Sequence, residues 1–296
     1  MDEAERRRLA AIIRESAVPL EPRTPSLPPD WTEPLPVSAG DFRAVLFDVY
    51  GTLFCSAAGD IGLTAKEADG GGSDTALDAL ARSRDSRLCG DDLTAFFHRK
   101  VSGIHRSRSA ETAWPEVRVE EIWADFLRER GLDTDAGREF ALRYELAVNP
   151  VYPMPGAAET IAALRDAGRV LGIISNAQFF TPLLFEAFFG ASPESLGFDS
   201  ELIIWSFEMG EAKPAPRLFE AAARRLAAIG IAPEESAFVG NDMRSDMYGA
   251  ITAGFQGILF AGDSRSLRLR EEDPLVRGLR PSRIIHSLGE LVSFLD

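Results

Sequence analysis

Asp48-Val49-Tyr50-Gly51-Thr52-Leu53 is the stretch on which the reading of this chain turns. The residues before it, Arg43-Ala44-Val45-Leu46-Phe47, are short and apolar, the pattern of a strand buried on both faces. An aspartate stands where that strand should end. In open α/β sheets, ligands bind beyond the carboxyl ends of the strands. Gly51 and Thr52 follow at once, a turn pair whose backbone N–H groups are expected to face an anion. A carboxylate on such a tip can act as a nucleophile, forming an aspartyl ester or phosphate that splits one hard step into two easier ones. The plainer alternative is a strand-end aspartate that only caps a turn.

Working outward, further buried strands are predicted at Arg169–Ile174, Leu202–Trp205, Ser236–Val239 and Gly257–Phe260, with Arg283-Ile284-Ile285 as an edge strand. Helices are predicted between them at Gly156–Gly168, Phe179–Phe189 and Pro216–Ile229. Ser287-Leu288-Gly289-Glu290 has the spacing of a capping box for a last helix. Strands alternating with helices imply an α/β fold with a doubly wound parallel sheet. Residues 55–150 interrupt the alternation and are helical in pattern, at Ala76–Arg82, Leu93–Val101, Val119–Arg130 and Asp135–Ala147. Gly70-Gly71-Gly72 reads as a mobile surface loop there, with Ser73 as a helix N-cap. The expected organisation is an arm at 1–40, a core at 41–54 and 151–296, and a helical cap at 55–150. In the arm, a helix over 2–16 with Leu9, Ile12 and Ile13 on one side leads into a proline-crowded run from Val18 to Pro36. That run suits either an intramolecular strap or a homodimer contact.

Composition narrows the partners. The 296 residues carry 32 basic and 46 acidic side chains, a formal net charge of −14, which repels nucleic acid and anionic membranes. No stretch is apolar for long enough to span a bilayer. Cys55 and Cys89 are the only cysteines, which argues against a disulfide framework and fits a reducing cytoplasm. Lys66, Lys100 and Lys213 are the only lysines in an arginine-rich chain, so Lys213-Pro214 retains a compact ammonium where arginine is otherwise chosen.

Polar residues fall at four successive strand tips or just after them: Asp48, Ser175 with Asn176, Lys213, and Asp242 with Asp246. Parallel strands end on one side, so these groups are expected to converge on one pocket. The set Phe47-Asp48-Val49-Tyr50-Gly51-Thr52-Leu53, Ser175-Asn176, Lys213-Pro214 and Val239-Gly240-Asn241-Asp242 through Asp246 to Gly249-Ala250 resembles the haloacid dehalogenase-like hydrolase superfamily, over roughly residues 42 to 290. The resemblance implies a Rossmann-like core with a helical cap and an aspartate-nucleophile hydrolase acting on a small molecule. It makes Asp48 the nucleophile, has Ser175 hydrogen-bond the transferred group, and gives Lys213 the task of offsetting charge. Asp48, the Tyr50 carbonyl, Asp242 and Asp246 would hold Mg2+, while Gly51, Thr52 and Asn176 line the substrate.

Tyr50 departs from the pattern. Phosphatases that the chain resembles carry a second aspartate there as general acid and base, and 2-haloacid dehalogenases carry tyrosine. A phenol with a pKa near ~10 is a poor base at neutral pH. Losing a general acid–base costs about 10²- to 10⁴-fold. A halide leaves without a proton. Against that, three carboxylates beside one lysine would repel an anionic substrate. At ~4 Å and an effective dielectric of about 20, each unpaired like-charge contact costs roughly 4 kcal/mol. A hard divalent cation removes this repulsion. We therefore read a Mg2+-dependent phosphatase for a small phosphorylated metabolite, ahead of a metal-independent 2-haloacid dehalogenase or a non-catalytic binding protein. Within Ile104-His105-Arg106-Ser107-Arg108, His105 is a candidate proton donor, and Arg106 or Arg108 a grip for phosphate or carboxylate. A solvated basic helix face is the alternative for that run. Trp114-Pro115-Glu116 reads as a turn into the next cap helix.

Overall fold

The computed structural model of the chain describes residues 1–28, 31, 42–58 and 73–294. The Gly70–Gly72 loop, the capping side chain of Ser73 and the Pro34 and Pro36 part of the arm lie outside these.

Strand β1 (Ala44–Phe47) sits inside a six-stranded sheet with β4 (Val170–Ser175), β5 (Phe198–Trp205), β6 (Ser236–Gly240), β7 (Gln256–Phe260) and β8 (Arg283–Ile285). The order is β5-β4-β1-β6-β7-β8, and all the pairings are parallel. Two apolar layers follow from the alternation along β1. Val45 and Phe47 join one cluster of buried residues, and Ala44 and Leu46 the other. Helices α6 (Ala157–Asp166), α7 (Thr181–Phe189), α8 (Pro193–Leu196), α9 (Ser206–Met209), α10 (Pro216–Ala228) and α11 (Gly249–Thr252) connect the core strands. This is the doubly wound arrangement predicted from the alternation.

After Asp48 the chain turns through Gly51 into β2 (Phe54–Ser56), which pairs antiparallel with β3 (Val151–Pro153). These two short strands take the chain out of the core and bring it back. Between them lie α2 (Ser73–Arg82), α3 (Gly90–Arg108), α4 (Val119–Arg128) and α5 (Gly137–Val148). The inserted helices have an aromatic centre of their own. Trp123 packs on Tyr144 at 4.5 Å and on Phe140 at 4.9 Å between ring centroids. The β2–β3 pair was not predicted, because three residues a side are too few to show a period of two.

The N-terminal helix α1 (Glu3–Ser16) buries Leu9, Ile12 and Ile13. It packs on both α7 of the core and α5 of the insertion. Arg6 is paired with Glu186 of α7, and Glu5 with Arg138 of α5 at 3.1 Å. Further along, the Arg23 carbonyl accepts from Ser264 N at 2.7 Å, and the Arg265 guanidinium donates to the Glu21 carbonyl at 2.6 Å. The described part of the arm is thus an intramolecular strap. The last element differs from prediction. Glu290 does accept from the backbone N–H groups of His286 and Ser287, but Leu288–Phe294 forms 3-10 turns and not an α-helix. Seven residues near the end of the sheet are enough for the tighter turn and leave little for α-helical propagation.

Because Leu9 is fully buried against core and insertion alike, Leu9→Ala should lower the free energy of unfolding by about 2–5 kcal/mol. Urea unfolding would check this. A change below about 0.5 kcal/mol would mean that α1 is an appendage and not part of the core.

Candidate active site

The register of β1 assembles the site. Phe47 pairs with Ile173 of β4 and Val239 of β6, so Asp48 stands level with the ends of both neighbours. The Ser175 hydroxyl donates to Asp48 Oδ1 at 3.0 Å. Lys213 reaches the same oxygen, with its Nζ 2.6 Å from Asp48 Oδ1 and 2.5 Å from Asp246 Oδ1. All four side chains are buried. Burial opposes the Lys213 charge, but Asp246 and Asp48 outweigh it and raise its pKa above the ordinary value. Asn176 holds the lysine in place by accepting from the Lys213 backbone N–H at 2.7 Å.

Asp246 arrives by a local departure from the α-helix. The stretch Met243–Tyr248 is a π-helical turn in which Met247 N donates to the Asp242 carbonyl at 3.1 Å. Asp246 Oδ2 then accepts from the backbone N–H groups of Asn241 and Asp242, both at 2.9 Å. Gly240 makes room for that carboxylate, since a Cβ there would lie 2.4 Å from Asp246 Cγ. Burial is the main cause raising the Asp246 pKa. Lys213 opposes it, while Asp48 and Asp242 add to it.

Asp242 is committed elsewhere. Its Oδ1 caps the π turn, accepting from Arg244 N at 2.8 Å and Ser245 N at 3.1 Å. Its Oδ2 accepts from Arg270 Nη2 at 2.7 Å and Nε at 3.2 Å. The magnesium expectation needs Asp48, the Tyr50 carbonyl, Asp242 and Asp246 around one point. Asp48 and Asp246 do share a point, and it holds the Lys213 ammonium. Among the described residues no three acids converge. As arranged, these donors do not fit a three-carboxylate magnesium site, because Lys213 and Arg270 already engage the oxygens that would coordinate.

Several sequence-predicted residues have other tasks. The Gly51 N–H donates to the Phe54 carbonyl at 2.7 Å and the Thr52 N–H to that of Val49 at 3.3 Å. The turn itself therefore consumes the donors that were expected to face an anion. Gly51 adopts φ +81°, and a Cβ on it would lie 2.5 Å from that of Ser266. The Thr52 hydroxyl is fully buried and donates to Asn241 Oδ1 at 3.1 Å, so it braces the loop after β6. Tyr50 is buried with its hydroxyl 2.9 Å from Thr181 Oγ1. Burial and the charge of Glu145 push its pKa further above the ordinary tyrosine value and keep the phenol protonated, so it is no base near neutrality. Arg108 is engaged by the protein's own backbone. Its guanidinium donates to the carbonyls of Glu116 at 2.8 Å and Gly210 at 3.0 Å. His105, half-buried in the last turn of α3, has its pKa lowered by burial and by Arg108. No hydrogen bond among the described residues joins it to the strand tips.

The sequence reading missed two features. Trp114-Pro115-Glu116 is more than a turn, for Pro115 bridges Glu211 antiparallel and Ala212 N donates to the Trp114 carbonyl at 2.9 Å. The Glu116 carboxylate accepts from Ser206 Oγ at 2.6 Å and Gln178 Nε2 at 3.3 Å. The linker between α3 and α4 is thereby sewn to the loop that carries Lys213. The other feature is Arg270, to which no local motif points. Only the fold brings it to Asp242.

Replacing Lys213 by Met would leave the buried carboxylates of Asp48 and Asp246 without their cation, at a cost of about 3–5 kcal/mol in unfolding free energy at neutral pH. The native state would then hold a proton that the unfolded chain releases at the ordinary aspartate pKa. Stability of the variant should therefore fall as pH rises from about 4 toward 7 and beyond, more steeply than in the parent. Urea midpoints across that range would show it, and parallel curves would refute the buried pairing.

Three comparisons bear on this arrangement. A family model described as haloacid dehalogenase-like hydrolase matches residues 42–254. The phosphoserine phosphatase of Thermus thermophilus is 34% identical over 167 residues, covering 56% of this chain and 61% of that protein. The glyceraldehyde 3-phosphate phosphatase of Methanothermobacter thermautotrophicus is 36% identical over 143 residues, covering 48% and 58%. The chain thus spans about three fifths of the length of these relatives. Among solved structures, a HAD phosphatase from Thermococcus onnurineus matches with a TM-score of 0.50 at 25% identity, over 86% of this chain and 97% of that one. With the strand-tip aspartate, serine, lysine and aspartate in one buried cluster and a family match over most of its length, the chain belongs to the haloacid dehalogenase-like hydrolase family.

Proposed function

We propose that this chain hydrolyses a small phosphomonoester by attack of Asp48. The observation that carries the reading is the asymmetry of the Asp48 carboxylate. Ser175 and Lys213 both bind Oδ1, which leaves Oδ2 as the attacking oxygen. Attack on phosphorus forms an aspartyl phosphate and breaks the bond to the leaving oxygen; water then hydrolyses the acyl phosphate and regenerates Asp48. Lys213 keeps the approach of a dianion from meeting bare carboxylates, and Ser175 holds Oδ1 while Oδ2 turns to phosphorus. The curated relatives named as phosphatases support the same direction. In this proposal the helices within 55–150 cap the core formed by 41–54 and 151–296. The two free cysteines support a cytoplasmic location. No helix among the described residues is long and apolar enough to cross a membrane.

Magnesium belongs to the proposal as a cofactor of a rearranged site. Three carboxylates face two cations, Lys213 and Arg270, so one negative charge is left over where an anionic substrate must enter. A divalent ion would supply the missing positive charge. Its recruitment requires Asp242 to leave Arg270.

Tyr50 favours a second reading. Its hydroxyl is tied to Thr181 and is a far weaker acid than a carboxyl, a deficit in protonating a leaving alkoxide that dehalogenation would not feel. A screen of phosphate monoesters with chloroacetate as control separates the two. Phosphate release should stop in EDTA, return with Mg2+, and fall on the order of 10³-fold or more in Asp48→Asn. Halide release that persists in EDTA, with no phosphate released from any ester, would replace this reading by the dehalogenase one.

A further inference from the structure

The Asn176–Ala177 peptide lies between the nucleophile and the linker of the inserted helices. Its two polar ends face opposite ways, as in any trans peptide. The Asn176 carbonyl is 3.0 Å from Ser175 Oγ, the same distance as Asp48 Oδ1. One hydroxyl proton thus has two acceptors at equal range, and the direction of this carbonyl bears on which of them receives it. At the other end, Ala177 N donates to Ser206 Oγ at 2.8 Å. The Ser206 hydroxyl in turn donates to Glu116 Oε2 at 2.6 Å, closer than its alternative acceptor, the Ala177 carbonyl at 3.3 Å. Ala177 and Ser206 are both fully buried, so bulk water is no substitute for either bond.

Glu116 is itself held. Its N–H donates to the Gly210 carbonyl at 3.1 Å, and the Arg108 guanidinium donates to its carbonyl at 2.8 Å. Its other carboxylate oxygen accepts from Val117 N at 2.8 Å and Gln178 Nε2 at 3.3 Å. An ionised acceptor makes a stronger bond than a neutral one and polarises the bond behind it. With the carboxylate in place, the Ser206 proton points away from Ala177, and the hydroxyl lone pairs stay on Ala177 N. Without it, that proton turns to the Ala177 carbonyl and the grip on the peptide loosens. The Asn176 carbonyl is then free to draw the Ser175 proton, and Asp48 Oδ1 loses a donor.

We propose that Glu116 is a positioning residue for the reaction at Asp48. Through Ser206 it orients the Asn176–Ala177 peptide, and so directs the Ser175 proton onto Oδ1 of the nucleophile. The inference rests on Asp48 as the nucleophile of the proposed function and not on the bond that Asp48 attacks.

The test is steady-state kinetics of the full chain on whichever substrate the parent turns over, a phosphate ester or chloroacetate. Glu116→Ala and Ser206→Ala should each lower kcat roughly tenfold or more with KM within about twofold of the parent, since a small misplacement at the reacting group is felt in the rate. Both side chains act through one relay, so the double variant should be no slower than the slower single. Losses that multiply, a change confined to KM, or an unchanged kcat in either single would each overturn the proposal. Should Ser206→Ala fail to fold, Ser206→Cys keeps a side chain of similar size with only a weak donor and acceptor, and the same loss of kcat is expected. Amide exchange needs no substrate. Protection of the Ala177 N–H, read by NMR, should fall roughly tenfold in Glu116→Ala, and unchanged protection would overturn the proposal. A parent that turns over chloroacetate and no ester would defeat the phosphatase reading, and the same variants would then decide the proposal on halide release. Phosphate release by the parent with kcat unchanged in both variants would do the reverse.

Discussion

A single ammonium between two buried carboxylates organises this molecule. Lys213 Nζ touches Asp48 and Asp246 at hydrogen-bond distance with almost no exposure to water. A buried ion pair adds little net stability, but removing one member leaves an uncompensated charge. Every surrounding feature can be read as a means of keeping the set complete. Asn176 fixes the backbone of the lysine. Gly240 yields space to the Asp246 carboxylate, and the π turn rotates Asp246 inward. The linker carrying Glu116 pairs with the strand-like run 210–212 just ahead of the lysine. The inserted helices are therefore mechanically joined to the same charge cluster that the core strands deliver.

Much of this was legible because parallel strands buried on both faces leave unbroken apolar runs. The tip residue of each run can be located to within a residue or two. Asp48 and Ser175 were found that way; Lys213 and Asp246, which lie well past the ends of their strands, came from the family resemblance, and all four are brought together. What failed was the direction in which side chains and N–H groups point. Gly51 and Thr52 look like anion donors in a sequence, yet their N–H groups close the turn on Phe54 and Val49. Asp242 looks like a metal ligand, yet it caps the π turn and meets an arginine 28 residues later. Arg108 looks like a ligand grip, yet its guanidinium meets the carbonyls of Glu116 and Gly210. Each error lies in a contact between segments remote in sequence, or in a choice between two partners of equal chemistry. Local pattern carries no information about either.

Tyr50 shows how one position can serve structure at the expense of chemistry. Two residues after the nucleophile, it faces α7 and hydrogen-bonds Thr181, whose hydroxyl in turn accepts from Gln178 N at 3.0 Å. Gln178 also donates to the Val117 carbonyl at 3.0 Å, so the phenol closes a polar chain that runs from the nucleophile's turn to the linker of the inserted helices. A carboxylate at position 50 would put another charge into this buried seam beside Glu145, which already pushes the phenol's pKa up. The neutral phenol fits the seam at the loss of an acid–base group.

Charge then dictates what the site can accept. Asp246 has both oxygens occupied by donors of its own loop and by Lys213, and its carbon skeleton is wedged against Gly240, so it cannot turn toward a new partner. Asp48 keeps one oxygen for attack. Asp242 is paired with Arg270, whose side chain is 29% exposed, against 2% for Lys213. Of the five charges, Asp48, Asp246 and Lys213 form the buried set, and the Asp242–Arg270 pair lies nearer solvent. An anionic group approaching Asp48 therefore meets its second oxygen, since Oδ1 is taken by Ser175 and Lys213.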